Sequence, residues 1–169
     1  MGIMVGLSVA LVFLVRFPIF PQAPFLEYDP ADIPIIIGTF AYGPLTGLII
    51  TAAAAVIQGI TVSANSGVYG VIMHVISTGT FVLTAGFIYR VKHSRPGAGI
   101  ALICGVLTSA TVMAAANMII TPLFMGVPTA AVRSMLLPVI IPFNLIKAGI
   151  NGMVTFLLYK PVSNLIKAR

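Results

Sequence analysis

A lysine and two asparagines lie within residues 137–151, an otherwise apolar stretch near the end of the chain. Asn144, Lys147 and Asn151 stand at positions i, i+3 and i+7, a spacing that places them on one face of a helix. A charged side chain deep in an apolar segment is costly, and such a residue indicates a functional site. This face is therefore the candidate site.

Two other apolar segments each place a polar side chain where it can meet this face. Asn117 lies near the end of residues 98–120, and His74 lies in the first third of residues 68–89. A lone histidine inside a bundle is usually hydrogen-bonded to its neighbours, and ligand contact is the alternative. Amides, one ammonium group and apolar walls favour a pocket for a flat ligand with a polar, anionic or carbonyl-rich edge.

The loop at residues 18–33, called loop one below, contains four prolines and all three acidic residues of the chain. The prolines prevent a regular helix. Glu27, Asp29 and Asp32 invite a metal or acid–base interpretation, but no histidine or fourth ligand stands nearby. We favour a solvated loop in which Asp32 caps the next helix, while the apolar residues around Leu26 fold inward as a lid.

Several chemistries have no motif in this chain. There is no Walker A sequence, no HExxH, no nucleophile elbow and no pair of carboxylates inside an apolar segment. The single cysteine, Cys104, lies in an apolar segment and is interpreted as inert packing. The pattern predicts a membrane protein that binds a ligand, is not an enzyme, holds no metal and has no motor of its own.

The amino-acid composition indicates that these elements fold in a lipid bilayer. Of 169 residues, 59% are apolar and 7% are charged, and the mean hydropathy is +1.13. A soluble domain has about a quarter of its residues charged, so we expect one integral-membrane domain over residues 1–169 with no cleaved signal peptide. The net charge of +6 arises from basic residues at segment ends. Membrane topology explains them without a nucleic-acid partner.

Six membrane spans are predicted, although the third could be a kinked continuation of the second. The break at Gly43-Pro44 favours six. The predicted spans are residues 2–20, 33–42, 45–60, 68–89, 98–120 and 135–159, with a loop at residues 121–133. Six spans place both termini in the cytoplasm together with the basic loop at residues 90–95 and the tail at Lys160, Lys167 and Arg169. They place loop one outside.

Small residues recur every four positions in the first span, at Gly2, Gly6 and Ala10. Such a stripe lets a second helix approach closely. The sequence alone leaves two alternatives equally open: packing within the bundle, or contact with a partner protein. Arg16, near the end of the span, is expected to reach the membrane interface with its side chain.

Four stretches of the chain resemble the substrate-specific S-components of energy-coupling factor (ECF) transporters, and among them the riboflavin-type members. They are residues 24–34 (PFLEYDPADIP), residues 39–44 (TFAYGP), Asn117 with residues 121–126 (TPLFMG), and residues 141–147 (IPFNLIK). They span most of the chain in the family's order.

This resemblance implies a six-helix bundle in a bacterial cell membrane that captures one vitamin with high affinity. It implies that Asn117, Asn144 and Lys147 hold the polar parts of riboflavin, a transported ligand and not a cofactor, and that Leu26 contacts it from the lid. It also implies a transmembrane coupling subunit, which works with two cytosolic ATPases and faces the stripe of Gly2, Gly6 and Ala10.

The resemblance leaves alternatives open for the ligand. His74 occupies a position where an amide is expected, and residues 58–65 carry less charge than expected. FMN, pantothenate or a pyridoxine form therefore remains an alternative to riboflavin, and so does stand-alone secondary transport. Thiamine is disfavoured because it is cationic and would meet Lys147. Asn151, a full turn beyond Lys147, is expected to form a helix–helix hydrogen bond.

Overall fold

A computed structural model describes the backbone of residues 1–167 and the side chains of residues 1–159 and 161. Its α-helices are α1 (Gly2–Leu14), α2 (Asp32–Tyr42), α3 (Pro44–Ile60), α4 (Gly67–Val91), α5 (Arg95–Met125), α6 (Thr129–Met135) and α7 (Ile141–Lys167). A π-helical turn, Leu136–Ile140, joins α6 to α7. The predicted all-α bundle of six helices is confirmed, with α6, this turn and α7 as the sixth. The predicted basic tail lies outside the side chains described.

The first helix is shorter than predicted. α1 ends at Leu14 instead of residue 20, and the chain continues as strand β1 (Phe17–Pro18), which pairs antiparallel with β2 (Glu27–Tyr28). Arg16 forms an ion pair with Glu27 and donates a hydrogen bond to the carbonyl of Val62. The end of α1 is therefore tied to loop one and to the α3–α4 connection. The predicted position of Arg16 at the membrane interface stays a prediction.

The break between α2 and α3 is where the sequence places it. Gly43 has φ of +100°, a conformation that side chains disfavour, and Pro44 is the first residue of α3. α2 is a short helix buried along most of its length, from Asp32 to Phe40. An internal helix of this length need not span the bilayer by itself.

Two segment ends extend further than the sequence predicts. α5 continues through the buried Pro122 to Met125 instead of ending at residue 120, and α6 begins at Thr129 within the predicted loop of residues 121–133. The π-helical turn contains Pro138, whose missing N–H would interrupt a regular α-helix. Among the described residues, three helical stretches are long and apolar enough to cross a membrane: Ala64–Val91, Arg95–Met125 and Thr129–Tyr159.

Two apolar clusters hold the bundle together. In the larger cluster, Phe81 of α4 packs where a Cβ on Gly105 of α5 would lie only 2.1 Å from its ring. The smaller cluster contains Ala23 and Leu26 of loop one together with Val139 of the π-helical turn and Phe143 of α7. The lid predicted around Leu26 therefore lies folded onto the bundle.

Candidate functional site

A cavity opens at the end of the bundle opposite the α4–α5 turn. Its walls come from loop one, the α3–α4 connection, the start of α4, the end of α5 and the start of α7. It encloses about 1010 Å³ of atom-free space, its open mouth included. Because this space is open on one side, a small ligand can enter the bundle from this end.

The structure brings the four predicted ligand-binding residues together. Leu26, Asn117, Asn144 and Lys147 all line this cavity, although they come from loop one, α5 and α7. All but Lys147 are buried. Their contact with a ligand stays a prediction, but their convergence on one cavity is what that prediction requires.

Both asparagine side chains are held by their own helices. The Asn117 amide donates to the carbonyl of Met113 at 2.8 Å, and its oxygen accepts a hydrogen bond from Thr121 at 2.8 Å. The Asn144 amide donates to the carbonyl of Ile140 at 2.8 Å. Each amide keeps unused donor and acceptor capacity. The two groups are thus oriented in advance for a ligand edge that both donates and accepts hydrogen bonds.

Lys147 has a carboxylate partner in loop one, which contradicts the expectation that this lysine has none. Its ammonium group lies 2.6 Å from Asp29 Oδ2, and the two side chains are only 18% and 13% exposed. Burial raises the pKa of Asp29, but the nearby Lys147 charge lowers it, and the net pKa lies below its ordinary value. The positive charge of the site is therefore neutralised by loop one.

Asn151 connects the same loop to two helices. Its amide donates to the Asp29 carbonyl at 3.1 Å and to Asp32 Oδ2 at 2.9 Å, and its oxygen accepts from the Tyr28 hydroxyl at 3.1 Å. Asp32 Oδ1 accepts a further hydrogen bond from Thr78 of α4 at 2.6 Å. The predicted helix–helix hydrogen bond of Asn151 is confirmed, since Asp32 begins α2.

The prediction of a solvated acidic loop is wrong. Asp29 and Asp32 are buried, and Asp32 contacts Thr78 and Asn151 instead of capping α2. A signal in the sequence could have found them. A buried lysine requires a counter-charge, and every carboxylate side chain of this chain lies in loop one.

A second ion pair lines the cavity. Arg16 and Glu27 both line the cavity and pair with each other. Among the described side chains that line this space, Arg16 and Lys147 are the cations, and each has a carboxylate partner. The cavity therefore offers hydrogen-bond donors without an uncompensated positive charge.

Aromatic side chains form one wall. Phe124 of α5 lies with its ring centroid 6.3 Å from Phe25 of loop one and 6.0 Å from Tyr69 of α4. Rings at such distances present apolar faces and edges to a planar ligand. His74 lines the same cavity, and its buried Nε2 has no hydrogen-bond partner among the described residues.

The other predicted features lie away from this cavity. Gly2, Gly6 and Ala10 are exposed on α1, and a Cβ added at Gly2 or Gly6 would meet no atom within 4 Å. Their contact with a partner stays a prediction. Within the described residues, no group of three or more His, Cys, Asp and Glu side chains could hold a metal ion.

Comparisons with known proteins agree with this architecture. The family model "ECF transporter, substrate-specific component" matches residues 2–159. The riboflavin transporter FmnP of Bacillus subtilis (strain 168) is 30% identical over 162 residues, which cover 90% of this chain and 85% of that protein. The riboflavin transporter RibU of Staphylococcus aureus (strain TCH60) is 27% identical over 159 residues, which cover 90% and 83%.

A solved structure is also similar to this chain. The S component of a bacterial ECF transporter matches with a TM-score of 0.85 and 27% identity, covering 98% of this chain and 94% of the other. The likeness extends over nearly the whole of both chains and so includes loop one and the helices that form the cavity.

Proposed function

The chain belongs to the substrate-specific components of ECF transporters, and from that premise we propose that it is a subunit that binds riboflavin and delivers it inward. The family consists of membrane transport subunits, so the prediction that the chain is not an enzyme is confirmed. Riboflavin is the cargo in this proposal and not a resident cofactor.

The observation that supports riboflavin best is the chemistry of the cavity wall. Asn117 and Asn144 present fixed amides, and Phe25 and Phe124 present aromatic surface. The isoalloxazine ring of riboflavin is flat, apolar on its faces and lined along one edge by carbonyl and N–H groups. An amide can donate to and accept from such an edge at once.

Charge balance favours riboflavin over anionic vitamins. The ion pairs of Lys147 with Asp29 and of Arg16 with Glu27 leave no spare cation among the described cavity residues. The phosphate of FMN or the carboxylate of pantothenate would have to break one of these pairs or remain unpaired, at a cost of several kcal/mol. The sequence alone allowed an anionic ligand edge, and we therefore propose that the edge is neutral.

Stand-alone ion-coupled transport is the alternative that buried carboxylates would favour. Here Asp29 bonds to Lys147, and Asp32 bonds to Thr78 and Asn151. These bonds join loop one to the bundle, which is a structural role. Membership of the ECF family supports dependence on other subunits, and we propose a transmembrane coupling subunit with two cytosolic ATPases, in a bacterial cell membrane with both termini cytoplasmic.

Purification from cells supplied with riboflavin tests the proposal. We expect yellow protein with the absorbance of bound flavin, and quenching of riboflavin fluorescence on titration of the flavin-free protein. FMN and pantothenate should bind at least tenfold more weakly. A ligand at about 100 times its Kd stabilises the fold by roughly 2.7 kcal/mol, so thermal unfolding with a panel of vitamins gives an independent ranking. Colourless protein without flavin affinity would contradict the proposal.

A further inference from the structure

We propose that His74 is a ligand-contact residue, whose Nε2 forms a hydrogen bond with a hydroxyl of the ligand's polyol chain. This inference rests on the proposed function and extends it by assigning the second polar part of riboflavin. The ring edge is left to Asn117, Asn144 and Lys147, and the ribityl chain is assigned to α4.

The state of the His74 nitrogen is the first observation. The His74 residue lines the cavity, and its Nε2 is buried and has no hydrogen-bond partner in the described part of the chain. More than about nine in ten buried polar groups in native proteins are hydrogen-bonded, and an unpaired one costs about 1–3 kcal/mol. The Asn117 and Asn144 amides bond to their own helix backbone and Lys147 bonds to Asp29. His74 Nε2 has no such bond.

The position of His74 on α4 is the second observation. Ser66, which immediately precedes α4, Gly70 and His74 follow one another at four-residue spacing, and all line the cavity. Four residues of helix rise about 6 Å, so this face runs roughly 12 Å from the α3–α4 connection into the bundle. The Ser66 side chain packs against Gly70, since a Cβ added at Gly70 would lie 2.6 Å from the Cβ of Ser66.

The chemistry of an imidazole fits a hydroxyl in either tautomer. Neutral histidine uses Nε2 as a donor in one tautomer and as an acceptor in the other, while a hydroxyl can both donate and accept. A polyol can therefore satisfy His74 without fixing its protonation. The hydroxyl residue Ser66 lines the cavity just before α4, whereas the amides and the ammonium group come from α5 and α7.

A comparison of two flavins tests the assignment. Lumiflavin has the same ring as riboflavin but a methyl group in place of the ribityl chain. We expect His74→Leu to bind riboflavin about tenfold more weakly, the loss of one buried hydrogen bond, and to bind lumiflavin within twofold of the unmutated protein. His74→Gln should keep most riboflavin affinity, because its side-chain amide can occupy the position of Nε2.

Thr155→Val provides the matched control. Thr155 Oγ1 is the other buried side-chain atom without a hydrogen-bond partner among the described residues, and it does not line the cavity. We expect this variant to bind both flavins as before. Monodisperse elution in detergent establishes that each variant folds.

The outcomes separate the inference from the function on which it rests. If His74→Leu binds riboflavin normally, or loses riboflavin and lumiflavin equally, the assignment to the polyol chain is overturned while flavin binding stands. If the unmutated protein binds neither flavin, the proposed function fails and this assignment falls with it. A loss confined to riboflavin, together with retention by His74→Gln, supports it.

Discussion

Lys147 has two roles: it lines the cavity and it forms an ion pair with loop one. It lines the cavity, and it is also the only described partner of the Asp29 carboxylate side chain besides the backbone N–H of Ala31. An ammonium group buried without a partner would be strongly disfavoured. Loop one therefore has to be folded down for Lys147 to remain charged in the bundle, and this couples the lid to the binding site.

Breaking this ion pair from either side is expected to destabilise the fold. Asp29→Asn leaves a buried lysine unpaired and Lys147→Met leaves a buried aspartate unpaired, so each should lower the free energy of unfolding by about 3 kcal/mol. The double variant removes both charges and should recover most of that loss, but not the riboflavin affinity. Thermal unfolding in detergent measures the stabilities, and fluorescence titration measures the affinity.

Glu27→Gln is the control for that cycle. It is the same isosteric change on the same loop, but the Arg16–Glu27 side chains are 22% and 30% exposed. Water then compensates the remaining charge, and we expect a loss below about 1 kcal/mol. Equal losses for Glu27→Gln and Asp29→Asn, or a double variant no more stable than the singles, would show that Asp29 and Lys147 are not coupled.

The sequence predicted part of this site and missed part of it for a physical reason. Asn117, Asn144 and Lys147 could be grouped because a polar residue in an apolar helix signals a site, and Leu26 was predicted as an apolar residue of a loop that folds inward as a lid. Asp29 was assigned to solvent because a proline-rich acidic loop usually is solvated. Burial of Asp29 could have been predicted only from the requirement that a buried lysine have a counter-charge. Sequence periodicity carries no information on such long-range pairs.

At the level of helices, breaks were predicted better than ends. The break at Gly43-Pro44 is predicted because this pair interrupts a helical pattern, and in the structure Gly43 at positive φ ends α2 while Pro44 starts α3. Pro122 was expected to lie in a loop, but it is buried in the last turn of α5. Tertiary packing outweighs the loss of one helical hydrogen bond at Pro122. The rule that proline ends a helix considers only the local sequence and takes no account of packing against another element.

The contact between α4 and α5 depends on one glycine. A Cβ at Gly105 would lie 2.1 Å from the ring of Phe81, which is 1% exposed and cannot move aside. We expect Gly105→Ala to force the two helices apart and to lower the free energy of unfolding by about 1–3 kcal/mol. Thermal unfolding in detergent, without ligand, is the measurement.

Gly149→Ala distinguishes packing from helix propensity. Gly149 also lies inside a helix, but a Cβ there would meet no atom within 4 Å. Since alanine favours helix over glycine by about 1 kcal/mol, this variant should be as stable as the unmutated protein or more so. A Gly105→Ala protein that unfolds at the same temperature as Gly149→Ala would contradict a close α4–α5 contact.

In the whole molecule, the cavity and the small-residue stripe occupy separate places. The cavity lies within the bundle at the loop-one end, whereas Gly2, Gly6 and Ala10 are exposed on α1. Of these two regions, only the cavity has polar groups that a vitamin needs. The stripe has only backbone and small side chains, which suit the close approach of another helix. Binding and assembly should therefore be separable by mutation.

Gly6→Leu tests that separation. A Cβ at this position would meet no atom within 4 Å. Riboflavin affinity should therefore stay within twofold of that of the unmutated protein, and the free energy of unfolding within about 1 kcal/mol. A leucine on the stripe would hold a partner helix away, and we expect co-purification with the coupling subunit and riboflavin uptake by cells to fall at least tenfold.

Ala115→Leu, at an exposed small residue of α5, is the control and should leave both co-purification and uptake unchanged. If Gly6→Leu assembles normally, the partner lies on another face. If it loses riboflavin binding in isolation, binding and assembly are not separable at this position.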